Sequence, residues 1–567
     1  MAAAKKYTWR DLLSALGKRN SLAMLILGFS AGLPYVLITG TLNAWFTEEN
    51  ISVATIGVFS WITIIISFKF LWSPAVDRAP TPRLFNMGQR RATILILQAV
   101  ILACLLTISA ASPATQIGLI AIAAVVCTVT FASQDVLIDA WRIEIADEEI
   151  TVDLLSAVYQ LGFRTATILG GAGALIIAAR VGWNNTFIAL TVLMGAAMSG
   201  VFLASDSKIA ERTRRIENAP PARWRNLALT PVLLGWAWSF FALFGFMAFA
   251  LASPELANAR AFTLQKGPLI IIAAIIAPVT AATVMLWLHE NRTAPEAANK
   301  PWPAQGALDA LYQSVLEPMA DIIKRLRWGA VLVLILALSY RFTDLIWGGF
   351  AYPFYLGENY GALGHTLDEV AVASKIFGTL MTFVGIGVGG ALILRIGRMP
   401  CLVAGAVLAA ATNLLFADLA NGGASTHAFM STTRAYALFG FMQPLANLLQ
   451  LDVAANEPLA RLMLVIAAEN LAVGFASAAI VVYLSSIVNK KYAAVQYALL
   501  ASLGFLLGSL GRGALGELIE LRGFAFVFYL TAAMGLIAVI AAIAEWIRQS
   551  RVGAPDAERN AQEAAAV

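Results

Sequence analysis

The chain has 567 residues, of which 59% are apolar and only 13% charged, with a mean hydropathy of +0.76. Soluble domains carry about 25% charged residues, so this composition excludes a water-soluble enzyme, a disordered chain and a secreted disulfide scaffold. The net charge of +5 would suit nucleic acid, but the positions of the basic residues argue otherwise. Cys104, Cys127 and Cys401 all fall in apolar stretches, which implies neither a disulfide framework nor a thiolate metal site.

A helix needs about 20 apolar residues to cross the ~30 Å hydrocarbon core. In chain order such runs fall at 22–46, 54–74, 92–112, 116–140, 152–179, 184–204, 227–251, 268–288, 328–350, 368–394, 400–418, 460–486, 494–515 and 524–546. The runs are continuous rather than alternating, which selects helices over a membrane barrel. The fold class is therefore all-α integral membrane, with about fourteen transmembrane helices. The first run is too long for a cleavable signal peptide and lacks a small-residue cleavage site.

With the N-terminus inside, twenty-eight Lys and Arg residues fall on the cytoplasmic side and six on the other. That asymmetry places both termini in the cytoplasm. It also explains the basic charge, which faces anionic lipid and cytosol; no nucleic-acid partner is expected.

The organisation reads as a cytoplasmic N-terminus (1–20), a six-helix half (21–204), a linker (205–327), a second six-helix half (328–546) and a cytoplasmic tail (547–567). The linker holds an inserted transmembrane hairpin (227–251 and 268–288). It also holds a stretch, 306–326, whose apolar residues repeat at helical spacing, as in an amphipathic surface helix. The second half carries an extra segment on the opposite side, 419–459, read as a short surface helix rather than a span. The halves echo each other: each second span holds a lysine (Lys69, Lys375), and each fourth span holds acids (Asp135 and Asp139; Glu469). Such repeats mark transporters that bind their solute at the repeat interface.

A charge at the bilayer centre costs about 2.5–3.5 kcal/mol on insertion scales, so each one needs a reason. Lys69, Asp135, Asp139, Arg164, Arg341, Asp344, Lys375 and Glu469 lie in spans. Asp135 and Asp139, four apart, share a helix face and repel unless a cation sits between them. Arg341 and Asp344, three apart, can pair. Asp139 suits a salt bridge to Arg78 or Arg90 that closes a cytoplasmic gate with Asp77, or a proton site. Glu469 has no partner on its own helix and is the leading proton carrier, or else a buried partner for Arg164 or Lys375; Asp135, Asp139 and Asp344 are the other coupling candidates. Substrate-binding candidates are Lys69, Gln134, Arg164, Lys375, Tyr159, Gln160, Asn43, Asn413 and Asn470, although a polar residue in a span also serves as a helix–helix hydrogen bond. Arg512, near a span end, is read as snorkelling.

No Walker A sequence, GxSxG or HExxH occurs, and the run GIGVGG at 385–390 lies within a span rather than after a strand. His289, His365 and His427 lack metal-ligand spacing. Neither an ATP-driven pump nor an enzyme is expected, and no metal or cofactor; the proton gradient is the expected energy source.

The stretches FSAGLP (29–34), FKFLWSPAVDR (68–78), ASQDVLIDAW (132–141), LGFR (161–164), YRFTD (340–344), SKIFG (374–378), AAEN (467–470) and KKYAAVQYALL (490–500) resemble the AmpG muropeptide permeases of the major facilitator superfamily. The resemblance implies a major facilitator fold in the bacterial inner membrane. It implies proton-coupled import of N-acetylglucosaminyl-1,6-anhydro-N-acetylmuramyl peptides in peptidoglycan recycling, by alternating access, and a contribution to β-lactamase induction and β-lactam resistance. The partners implied are the muropeptide, protons and membrane lipid, acting on a monomer. Alternatives are a transporter of another solute, acetyl-CoA-like or a drug, and a non-transporting membrane receptor. The segments 227–290 and 419–459 exceed the family's minimal pattern.

Overall fold

A computed structural model describes residues 17–69, 87–145, 152–205, 222–253, 256–292, 316–453, 456–489 and 493–552, with a few isolated positions between them. Among these, twelve helices are long and apolar enough to cross a membrane. The last of them, Leu503–Arg551, is broken at Gly523, and a further apolar helix, Val53–Ile66, is shorter. With the broken helix taken as two, each of the fourteen runs read from the sequence has a helical counterpart.

Local chemistry sets where the helices start and turn. Pro113 opens Pro113–Glu144 at its first turn, where a missing N–H costs nothing. Thr366 and Glu369 form a capping box at the start of Leu367–Val370. The Asn456 side chain accepts from the Leu459 N–H at the head of Glu457–Ile487. Gly182 (φ 79°) turns Ala174–Val181 directly into Trp183–Ala197, and Gly523 (φ 80°) makes the same one-residue turn before the last helix. Only glycine takes that conformation without strain. The two turns occupy equivalent places in the two halves, so the repeat seen in the charges extends to the backbone.

The chain divides into two compact units. One comprises Met1–Asn50 and Phe68–Thr213, the other Ile51–Ser67 and Arg214–Val567. The core of the first is built from Met24, Leu27, Leu95, Ile138, Trp141, Leu155 and their neighbours. That of the second is built around Leu336, Tyr340, Leu402, Ala479, Tyr483 and Ala542. The grouping differs at two places from the boundaries 21–204 and 328–546. Residues 51–67 join the second unit because Glu520 accepts from the Ala54 N–H (2.8 Å), Trp61 donates to the Leu510 carbonyl (3.3 Å) and Thr63 bonds Ser509 (2.8 Å). The inserted hairpin, helices Ala222–Ala252 and Ala259–Arg292, also packs there. Phe246 and Phe262 stack at 4.2 Å, each ring within 6 Å of Trp61, and Glu517 accepts from the Ala259 N–H.

Within 306–326 the helix runs Glu317–Leu326, with Met319 and Ile322 buried; apart from Tyr312 and Leu316, the earlier part lies outside the described residues. Gln496, fully buried, fixes this helix by donating to the Pro318 carbonyl (3.0 Å) and to Asp321 (2.7 Å). The segment 419–459 folds as Ala424–Thr433, a 3₁₀ turn Ala435–Phe439 and Met442–Leu449. None of these is long enough to span.

Candidate functional site

Each unit gathers most of its intramembrane charges into one cluster, with Arg164 and Arg512 standing apart. In the first unit, Lys69 Nζ contacts Asp135 Oδ2, and Tyr159 donates to Asp135 Oδ1 (2.6 Å). Asp139, one turn on, pairs with Arg142 at 2.9 Å, and the Arg142 guanidinium lies 5.4 Å from the Tyr159 ring centroid. The two aspartates that repel on one helix face are thus each answered by a different cation. Trp72 donates to Ser133 (3.0 Å), which anchors the segment carrying Lys69 on the helix carrying Asp135. Asp139 was expected to meet Arg78 or Arg90; the partner recorded is Arg142, visible afterwards in the DAWR spacing. Asp77 and Arg78 themselves lie outside the described residues.

The other candidates of this unit separate by environment. Gln134 is fully buried and donates to Ser30 (3.1 Å), which also accepts from Gln98 (3.1 Å), a helix-to-helix contact. Asn43 is buried in Leu42–Glu48, whereas Gln160 and Arg164 are exposed on Val152–Ile168.

In the second unit, Arg341 donates to Asp344 (3.2 Å). Lys375 lies on a π-helical turn, Ala371–Phe377, a device frequent at functional sites. Its Nζ sits 4.6 Å from the Tyr352 ring centroid. Glu469 accepts from Asn470 (3.3 Å) and lies within electrostatic range of Asp344 and Lys375. Asn470 also accepts from Thr382 (2.9 Å) and donates to the Ile466 carbonyl (2.9 Å), which fixes its amide beside Glu469. Tyr355 is within range of Glu469 and Tyr352. Asn413, by contrast, accepts from Thr531 (2.9 Å) and donates to the Ala409 carbonyl (2.8 Å), so its amide is committed to helix packing.

Sequence reasoning missed Tyr352, Tyr355 and Thr382. The tyrosines follow the last residue of their apolar run, where an aromatic reads as an interface anchor. Arg512 also differs from expectation. It is 8% exposed and donates twice to the Leu345 carbonyl (2.9 and 2.6 Å) and once to Thr63 (3.3 Å). The helix bearing Asp344 gives way to a 3₁₀ turn at Gly348–Phe350, just after the Leu345 carbonyl that Arg512 meets.

The chain matches the Major Facilitator Superfamily model over residues 21–285. It is 23% identical over 518 residues to "Putative transporter AmpG 4" of Rickettsia felis, covering 91% of this chain and 94% of that one. To the anhydromuropeptide permease of Escherichia coli it is 37% identical over 188 residues, covering 33% and 38% of the two chains. Among solved structures it is similar to a POT family transporter in complex with 5-aminolevulinic acid (TM-score 0.58, 11% identity, 94% and 96% covered). It is also similar to the nucleoside transporter NupG (TM-score 0.54, 11% identity, 93% and 99% covered). At those identities the structural likeness establishes the fold alone. The chain is a multi-pass secondary transporter of the bacterial inner membrane with the major facilitator fold, not an enzyme, and its similarity to transporters named AmpG extends over nearly its whole length.

Proposed function

We propose that the protein imports N-acetylglucosaminyl-1,6-anhydro-N-acetylmuramyl peptides from periplasm to cytoplasm by alternating access, driven by the proton gradient, and so contributes to β-lactamase induction. The observation that carries this reading is the 37% identity to an anhydromuropeptide permease. The geometry supports it in kind. The substrate is large, with carboxylates and many hydroxyls, and each unit offers a cation, a carboxylate and a tyrosine within one cluster. Charges held at membrane depth mark solute and proton paths. Glu469 is the assigned proton carrier: its carboxylate has one weak donor at 3.3 Å and no ion-pair partner within 4 Å among the described residues.

Uptake of labelled anhydromuropeptide into proteoliposomes tests this. Accumulation is expected with the outside acidic and is lost on adding a protonophore. Glu469→Gln is expected to abolish gradient-driven accumulation while retaining exchange of labelled for unlabelled solute. Uptake indifferent to the gradient in the wild type removes the coupling, and unchanged gradient dependence in the variant removes Glu469 from the role.

A further inference from the structure

The second unit holds a set of donors that its own residues leave unused. Tyr352 is 4% exposed, and its hydroxyl is buried with no hydrogen-bonding partner among the described residues. A buried hydroxyl left so costs about 1–3 kcal/mol, which a structural tyrosine avoids by bonding a carbonyl, as Tyr340 does to Leu402 (2.9 Å). Lys375 rests on the face of the same Tyr352 ring and makes no ion pair within 4 Å among the described residues. The other cation of the cluster, Arg341, is already on Asp344. Glu469, the acid left to Lys375, acts on it only at electrostatic range. One ammonium and one phenolic hydroxyl, adjacent and in an apolar setting, are complementary to a two-oxygen anion.

We infer that Lys375 and Tyr352 form a subsite for a carboxylate of the transported solute. This rests on the muropeptide reading, since such peptides carry free carboxylates. The carboxylate takes a hydrogen bond from Tyr352 and the charge of Lys375, and in doing so competes with Glu469. Charge balance follows. The cluster Arg341, Asp344, Lys375 and Glu469 is neutral when all four are ionised, so an entering carboxylate leaves one negative charge in excess. Deep in a membrane that excess is costly, and a proton entering with the anion removes it. Anion and proton are thereby loaded together, with Asp344 held by Arg341 and Tyr355 as the remaining titratable neighbours.

The test uses full-length purified protein in nanodiscs and two probes, the anhydromuropeptide with free carboxylates and the same molecule with every carboxyl methyl-esterified. Binding is read by calorimetry. The wild type is expected to prefer the acid by about tenfold, the worth of one charge-assisted hydrogen bond. Tyr352→Phe removes an unpartnered hydroxyl, so the fold is retained, and it narrows the preference by roughly fivefold. Lys375→Gln abolishes the preference. Glu469→Gln widens it by removing the competing carboxylate. A merely structural Tyr352 would leave the acid-to-ester ratio unchanged in Tyr352→Phe, and that result overturns the subsite. Equal binding of acid and ester by the wild type overturns it too, while leaving the muropeptide reading intact. Binding of neither probe overturns both.

Discussion

Lys69 and Asp135 sit on each other with Tyr159 as a second donor to the same carboxylate. Removing one member of a buried pair leaves the other uncompensated, at about 3–5 kcal/mol, whereas removing both is far milder. Here the side chains are 34% and 25% exposed, so screening lowers the expected cost to roughly 1–3 kcal/mol. Lys69→Met and Asp135→Asn are each expected to lower the melting temperature in detergent and to cut uptake at least tenfold. The double variant is expected to recover most of the melting temperature and none of the uptake. Full uptake in the double variant would reduce the pair to a structural one. A double variant as unstable as the singles would show that the pair is not what the singles lose. At this scale the sequence revealed which charges need an explanation but not which polar neighbours share it. Asn413 and Asn470 look alike in the sequence. One is taken up by Thr531 and the other stands beside Glu469, because a helical period gives a residue's face and not the helix that faces it.

Elements approach closely where the clusters lie, and glycine permits it. Gly378–Ile396 and Glu457–Ile487 carry Thr382, Glu469 and Asn470. A Cβ added at Gly385 would lie 2.3 Å from the Leu471 carbonyl oxygen, and one at Gly474 would lie 2.2 Å from that of Thr382. The first unit repeats the device between Arg19–Val36 and Val152–Ile168, where a Cβ at Gly28 would come within 2.2 Å of the Tyr159 oxygen. Backbone-to-backbone contact of this kind cannot give way by a rotamer change, so the helices must separate. Gly387, two residues from Gly385 in the same GIGVGG run, has nothing within 4 Å. The two substitutions therefore have opposite signs. Gly385→Ala is expected to destabilise by about 1–3 kcal/mol through overpacking, and to lower uptake because it moves Thr382 against Asn470. Gly387→Ala is expected to stabilise by up to about 1 kcal/mol through helix propensity, with uptake unchanged. Melting temperatures of the two variants, side by side, check this; equal effects would refute the packing argument. The sequence showed that this run lies within a span and is not a nucleotide loop. It could not show which glycine touches a neighbour, since the two side chains in the run, Ile386 and Val388, suit a packed face and a lipid-facing one equally.

Span count and basic residues together predict an orientation for the whole molecule, and that orientation decides what import means. The fourteen runs were legible because a bilayer demands long apolar segments. The assignment of 51–67 to the second unit was not, because packing partners distant in sequence, such as Glu520 and Leu510, set it. Cysteine labelling of spheroplasts with a membrane-impermeant maleimide tests the orientation with little background, as Cys104, Cys127 and Cys401 are all buried. Ala428→Cys, exposed on Ala424–Thr433, is expected to react in intact spheroplasts, and Ser550→Cys, exposed near the end of the last helix, only after lysis. The reverse pattern would invert the topology and with it the direction of transport. Those two sites do not test the inserted hairpin, because a hairpin that lay on the cytoplasmic face would remove two crossings and leave both outcomes unchanged. Leu256→Cys does. Leu256 is 77% exposed between the two hairpin helices, and the long apolar windows on either side of it predict that it reaches the periplasm. It should react before lysis, as Ala428→Cys does. Reaction only after lysis would leave the two halves in place and turn the hairpin into a surface element, which the exposed apolar faces of Phe241 and Leu264 would then have to cover in some way other than by lipid.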